Sequence, residues 1–136
     1  MTRIISGFAG SRELKVPKSG TRPTSDRVRE AIFSALEARD EIAGARVLDL
    51  YAGTGAIALE ALSRGAAIVH AVEKDEEAAK AIHSNYDSIK SSHFAGTFHL
   101  YSMGAHRFVG DKAQYQYHFI YIDPPYDVDD IDVIET

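Results

Sequence analysis

Directly behind the apolar run His118-Phe119-Ile120-Tyr121-Ile122 stands Asp123-Pro124-Pro125-Tyr126. These four residue types can hold an exocyclic amino group together with the ring that bears it. The Asp123 carboxylate accepts a hydrogen bond from an NH2 group. Pro124 and Pro125 lack backbone N–H groups and stiffen the turn, so a neighbouring carbonyl can point at the same nitrogen. The Tyr126 ring offers a face to a planar base. We therefore take Asp123, Pro124, Pro125 and Tyr126 as candidate catalytic residues. A plain strand followed by a Pro-Pro turn is the structural alternative, because so short a motif also recurs by chance.

A second motif decides between them. Val47-Leu48-Asp49-Leu50 is an apolar strand that runs into Tyr51-Ala52-Gly53-Thr54-Gly55-Ala56, followed by Ile57, Leu59, Ala61 and Leu62 at helical spacing. A strand, a glycine turn and a helix make a nucleotide-type site. Gly53 and Gly55 carry no Cβ to hold a ligand off the backbone, and the helix start presents free N–H groups. The spacing departs from the dinucleotide fingerprint, since no third glycine follows in place. Some twenty residues on, Ala71-Val72-Glu73 ends the next apolar run with a carboxylate placed to bind ribose hydroxyls. A solvated acid at a strand end is the alternative there.

These motifs need a frame, and the chain supplies one. Arg3 to Phe8 and Arg12 to Val16 read as a short hairpin, and Pro17 to Pro23 as an exposed connector. A helix begins at Thr24-Ser25, either hydroxyl serving as cap, with Val28, Ile32, Ala35 and Leu36 inward and Arg27, Arg29 and Glu30 directed elsewhere. Strands at 46–50, 67–72, 96–101 and 117–122 then alternate with helices at 55–64, 75–90 and 104–110. Alternation of this kind predicts an α/β fold, a doubly wound parallel sheet covered on both faces, with strand order 3-2-1-4. Gly65 is placed to close the second helix in a left-handed conformation. Asn85 and Tyr86, on the third, serve packing and solubility. The division expected is 1–23, a basic hairpin and connector, and 24–136, the ligand-binding domain.

Composition sets outer limits. Hydrophobic residues at 45% and charged residues at 26% are those of an ordinary globular domain. The chain has no cysteine, which excludes disulfides and a thiolate nucleophile. Its six histidines lack the spacing of a helical zinc site, so no metal is assigned. With no long apolar stretch and no signal peptide, a cytoplasmic location is expected. Net charge is −5, but residues 1–29 hold seven basic against two acidic residues and the remainder eight against eighteen. The segregation suits a basic arm on phosphate and an acidic, soluble body; a solvated charged surface is the alternative.

Arg22-Pro23-Thr24, Asp26 to Phe33, Asp49 to Ala66, Val72-Glu73, Asn85 and Asp123 to Tyr126 together resemble class I S-adenosylmethionine-dependent methyltransferases of the amino-methylating kind. The resemblance is closer still to the bacterial 16S rRNA (guanine-N2)-methyltransferase family, and it extends from Arg3 to Tyr126. It implies S-adenosylmethionine as cofactor, with Asp49, Tyr51, Ala52, Gly53, Thr54 and Gly55 at its methionine part and Glu73 at its ribose. Gly104 and Ala105 would lie beside the adenine, where the family commonly has Asp-Ala; the amino-group contact then falls to backbone, Ser102 or Met103. The implied substrate is a guanine N2 amino group in 16S rRNA of the small ribosomal subunit, with Arg3, Arg12, Arg22, Thr24 and Arg27 on the RNA side.

The chain stops ten residues after Tyr126, whereas the family continues through further strands. Phe119, Ile120 and Ile122 are accordingly expected at an exposed edge, open to a dimer. A DNA adenine amino-methyltransferase and a truncated fragment that only binds cofactor or RNA are the rival functions. A protein glutamine methyltransferase would have Asn at position 123.

Overall fold

The computed structural model describes residues 2–16, 25–92, 94–111 and 116–124. Arg22, Thr24, Pro125 and Tyr126 lie outside these residues. Elements follow in chain order as β1 (Thr2–Arg3), β2 (Glu13–Leu14), α1 (Asp26–Ala38), β3 (Arg46–Asp49), α2 (Ala56–Ser63), β4 (Ile68–Val72), α3 (Glu76–Ile89), β5 (Thr97–Tyr101), α4 (Ala105–Asp111) and β6 (Phe119–Tyr121). A 3-10 turn, Lys90–Ser92, extends α3.

Four strands form one parallel sheet in the order β5-β4-β3-β6, which is the predicted 3-2-1-4. Leu48 pairs with His70 on one side and with Ile120 on the other, and His70 continues to His99. Side-chain alternation divides these strands between two cores. Val47, Val69 and Ala71 face a large core built with α2, Phe33 and Ile82. Leu48, Leu50 and Val72 face a smaller one under α4, with Phe108. At the entry to β6, the Tyr117 hydroxyl lies 2.8 Å from His70 Nδ1, tying that strand to β4 across β3.

Helix α2 is buried on all sides, unlike the one-sided stripe of a surface helix. The sheet covers one flank; the N-terminal hairpin and α1 cover others. The hairpin forms as predicted, with Thr2 opposite Leu14, and its Ile4, Ala9 and Leu14 belong to the large core. Gly7 makes the close approach possible. At φ +92° it passes so near the end of α2 that a Cβ would sit 2.0 Å from the Ser63 carbonyl oxygen. Phe8 N–H donates to that oxygen, and Ala9 N–H donates to Ser63 Oγ.

The structure corrects the predicted inner face of α1. Ser25 caps the helix through Val28 N–H, an interaction worth about 1 kcal/mol. The buried positions, however, are Arg29 and Phe33, with Ile32 and Leu36 partly buried, while Val28 and Ala35 are exposed. Arg29 points inward because a buried acid, Glu60 of α2, awaits it at 3.2 Å. Glu60 also accepts from Ile5 N–H, Ser6 N–H and Arg64 Nε. Arg64 extends the network to Glu37 and Glu30 and lies over the Phe33 ring. Gly65 is left-handed at φ +105°, as its position after α2 predicts.

A second correction concerns β6. Phe119 is not part of the exposed edge; it turns into the large core and meets Phe33 edge-on at 6.4 Å. Ile120 and Ile122, which alternate to the other face, are 48% and 43% exposed. Among the described residues, no helix is long and apolar enough to cross a membrane.

Candidate active site

The carboxyl ends of β3, β4 and β6 meet at one crevice. Leu50 N–H donates to the Tyr121 carbonyl and Ala52 N–H to the Val72 carbonyl, so main-chain pairing carries on past the strands and fixes the loops at their ends. In open α/β sheets a ligand crevice lies where strand order reverses, here between β3 and β6. Asp49, Glu73 and Asp123 all arrive there.

Asp49 is 1% exposed, and its Oδ1 has no hydrogen-bond partner among the described residues. Burial raises its pKa from 3.8 to about 7, the charges of Glu73 and Asp123 push the same way, and backbone hydrogen bonds from Ala58 and Tyr51 oppose them. The Ala58 bond places this carboxylate at the start of α2, where N–H groups lack partners within the helix. Such a group favours an arriving cation: an opposite charge stabilises the ionised form that burial disfavours.

Around it, the glycine turn is tightly wired. Gly53 has φ +57° and donates its N–H to Glu73 Oε1 at 2.8 Å. Glu73 Oε2 accepts from Asp75 N–H, so this acid is half-buried and held. Asp75 then caps α3 through Ala78 N–H. Thr54 is buried, and its hydroxyl accepts from Ala56 N–H. Gly55, at φ +81°, has a packing duty besides any ligand role, since a Cβ there would come within 3.2 Å of Ile82. Ala52 is buried and Tyr51 half-buried beside the turn.

Farther round, Glu73 N–H donates to the Tyr101 carbonyl. Gly104 and Ala105 open α4 just beyond β5; among the described residues, its own chain neighbours aside, nothing lies within 4 Å of where a Gly104 Cβ would stand. Asp123 is exposed at the rim, with the Tyr121 hydroxyl 3.5 Å from its Oδ2, and Pro124 is half-buried. The structure thus gathers Asp49, Tyr51 to Gly55, Glu73 and Asp123, with Gly104 and Ala105 following the neighbouring strand. Arg3, Arg12 and Arg27 are exposed on the hairpin and α1, and Arg12 Nη1 reaches the Ser88 carbonyl at 3.5 Å.

Sequence reasoning missed Asn85. It is buried on α3 and bonds both to Lys15 of the arm and to the Thr54 carbonyl of the turn. A polar residue at an inward position of α3, beside Ala78 and Ile82, was the available signal. A groove of about 540 Å³ among Gly7, Phe8, Glu37, Asp40 and Ser63 lies at the far end of α2 and plays no part in this crevice. Among the described residues, no cluster of three or more metal-binding side chains occurs.

Comparison with known proteins places the chain in a family and matches its fold. The chain is 38% identical over 125 residues to the ribosomal RNA small subunit methyltransferase D of Escherichia coli K12, covering 91% of this chain and 60% of the relative. The Haemophilus influenzae protein of the same name is 37% identical over 128 residues, with 91% and 63% covered. The chain thus spans about 60% of the length of these relatives. Among solved structures, a hypothetical protein of Thermus thermophilus superposes with TM-score 0.86 at 32% identity, over 99% of this chain and 75% of that one. The Escherichia coli protein yhhF gives 0.77 at 36%, over 93% and 65%. The sequence matches the family described as conserved hypothetical protein 95 over residues 2–136, and the chain belongs to that family.

Proposed function

We propose that this chain forms the cofactor- and base-binding part of a methyltransferase acting on the N2 amino group of a guanine in 16S rRNA of the small ribosomal subunit. The observation that carries the reading is the crevice of three carboxylates that includes buried Asp49, whose Oδ1 has no partner among the described residues. S-adenosylmethionine fits that donor set, being cationic at its ammonium and sulfonium and bearing ribose hydroxyls. When bound, it supplies an electrophilic methyl group. Asp49 and the turn from Tyr51 to Gly55 would hold its methionine part, Glu73 its ribose, and the Gly104-Ala105 start of α4 its adenine. The relatives' names support RNA of the small subunit as substrate.

The chain's own residues then have definite tasks. An exocyclic amino nitrogen is a poor nucleophile because its lone pair is delocalised into the ring. Hydrogen bonds from its two protons to Asp123 and the Pro124 carbonyl favour a pyramidal nitrogen and stabilise developing positive charge. Alignment by the crevice supplies the rest. Tyr126 would stack on a base splayed out of its helix, and Arg3, Arg12, Arg22, Thr24 and Arg27 would meet RNA. The reading carries a cytoplasmic location, and the exposed Ile120 on β6 and Ile122 just beyond it suit pairing with a second copy, which light scattering would measure.

Radiolabelled methyl transfer to small ribosomal subunits, with DNA as the competing substrate, tests the assignment. Incorporation into subunit RNA at guanine N2 is expected, and incorporation into DNA adenine alone would replace it by the rival reading. Asp123→Ala is expected to lower kcat by about 100- to 1,000-fold, with cofactor affinity changed by no more than about threefold. Unchanged turnover would remove Asp123 from its role.

A further inference from the structure

The buried carboxamide of Asn85 meets the crevice through the Thr54 carbonyl of the glycine turn, and the proposed chemistry gives it no task. Its contacts are nonetheless specific. Oδ1 accepts from Lys15 N–H at 2.7 Å, and Nδ2 donates to the Lys15 carbonyl at 3.0 Å. This is the bond pair that an adjacent strand would offer, so one side chain stands in for a strand against the chain leaving β2. Nδ2 also donates to the carbonyl of Thr54, between Gly53 and Gly55, at 3.2 Å. A carboxamide is planar and carries two N–H bonds at a fixed angle. Lys15 and Thr54 are therefore held in one mutual geometry, and displacement of either turns the amide against the other.

The surroundings give this link leverage. The other end of the hairpin is bolted to α2, where Glu60 takes Ile5 and Ser6 N–H, and Ser63 takes Ala9 N–H. Lys15 lies just beyond buried Leu14, where the chain leaves the hairpin. On the crevice side, Gly53 N–H rests on Glu73 Oε1, the acid assigned to ribose. A ligand that engages Glu73 alters the restraint on Gly53, one residue from the Thr54 carbonyl that Asn85 holds. Exposed Arg12 and Lys15 lie on the same arm, and the sequence runs on from there to Arg22 and Thr24.

We propose that Asn85 is a positioning residue that makes the glycine turn and the N-terminal arm one responsive surface, so that cofactor and RNA each strengthen the binding of the other. The proposal rests on the methyl-transfer reading above. Coupling between two sites is reciprocal, because the same free energy appears in both affinities. Ordering by the first ligand lowers the entropy that the second must remove. All three bonds from Asn85 end on main-chain atoms, so no side-chain replacement at Lys15 or Thr54 deletes them; Asn85 is the residue to change.

The test uses the full chain, with S-adenosylhomocysteine as a non-reacting cofactor probe. Small subunits reconstituted on transcribed, hence unmethylated, 16S rRNA serve as the RNA probe. Each affinity is measured with and without the other ligand, in wild type and Asn85→Ala, alongside melting temperature. Wild type is expected to show at least about fivefold mutual tightening, and Asn85→Ala less than about twofold. In steady state the variant raises KM for subunits while kcat holds, whereas partial unfolding would lower kcat at constant KM. Should Asn85→Ala not fold, Asn85→Ser, which keeps one hydroxyl for hydrogen bonding, takes its place with the same expectation. Wild type that binds both probes with no tightening, or a variant that keeps the wild-type ratio, overturns this inference and leaves the methyl-transfer reading intact. Wild type that binds neither probe overturns both.

Discussion

Glu60 and Asp49 are both buried carboxylates at α2, yet one is saturated and the other is not. Glu60, near the end of the helix, accepts from two main-chain N–H groups and from Arg29 and Arg64. Asp49, at its start, retains an oxygen without a partner among the described residues and has acids for neighbours. Taking a carboxylate out of water costs several kcal/mol, which donors in good geometry can offset. At Glu60 the donors come from the fold, and the result is an anchor for the hairpin. At Asp49 they are incomplete, and the deficit is one that a cationic ligand removes. The contrast separates a carboxylate whose donors the fold supplies from one that it leaves short of donors. The pairing is incomplete even at the anchor, since Arg29 Nε has no partner.

Removing the anchor is the harshest way to break this comparison. Glu60→Ala removes the buried acceptor shared by Arg29, Arg64 and two N–H groups, leaving Arg29 with Asp26 as its carboxylate, and is expected to destabilise the fold by about 3–5 kcal/mol, measured by urea denaturation. A loss below about 1 kcal/mol would mean that the network is ornamental.

Asp49 should respond with the opposite sign. Its pKa is raised from 3.8 in the unfolded chain to about 7 in the fold, so the folded state holds the proton more tightly. The stability contributed by that proton is full below pH 4, falls as pH climbs towards 7, and is gone above it. The span corresponds to at most about 4 kcal/mol. Asn at this position does not ionise, so Asp49→Asn should melt higher than wild type at pH 8, converge with it near pH 4, and bind S-adenosylmethionine more weakly. A variant that melts lower at pH 8 would count Asp49 with Glu60 as a structural charge.

Glu73 lies between the two cases, because its oxygens already hold Gly53 and Asp75 N–H. Glu73→Ala is expected to weaken cofactor binding about tenfold, roughly 1.4 kcal/mol, and to lower stability by about 1 kcal/mol. Calorimetric titration showing full affinity would take Glu73 out of the crevice.

Repetition made the frame legible. Apolar runs separated by helical spacing gave the sheet order and both crevice motifs, because side-chain period and connection handedness leave few topologies open. Gly65 was legible for a local reason, its place just past a helix end. The face of α1 was not. Val28 and Ala35 have core-type side chains and Arg29 does not, so intrinsic hydrophobicity pointed the wrong way until Glu60, thirty-one positions on, provided a partner. Phe119 was misplaced for a similar reason: lying on an edge strand does not expose a side chain that alternates towards Phe33. Asn85 read as serving packing and solubility, and its main-chain link was hidden because its partners lie in loops far away in sequence.

The order of residues by itself determined the α/β frame, the glycine turn after β3 and the carboxylate after each of three strands. All of these follow from short-range periodicity and turn chemistry. Only tertiary structure decided which buried carboxylates receive a full set of donors from the fold and which do not. A carboxylate's role depends on burial and on donors brought in from distant segments, and spacing along the chain encodes neither.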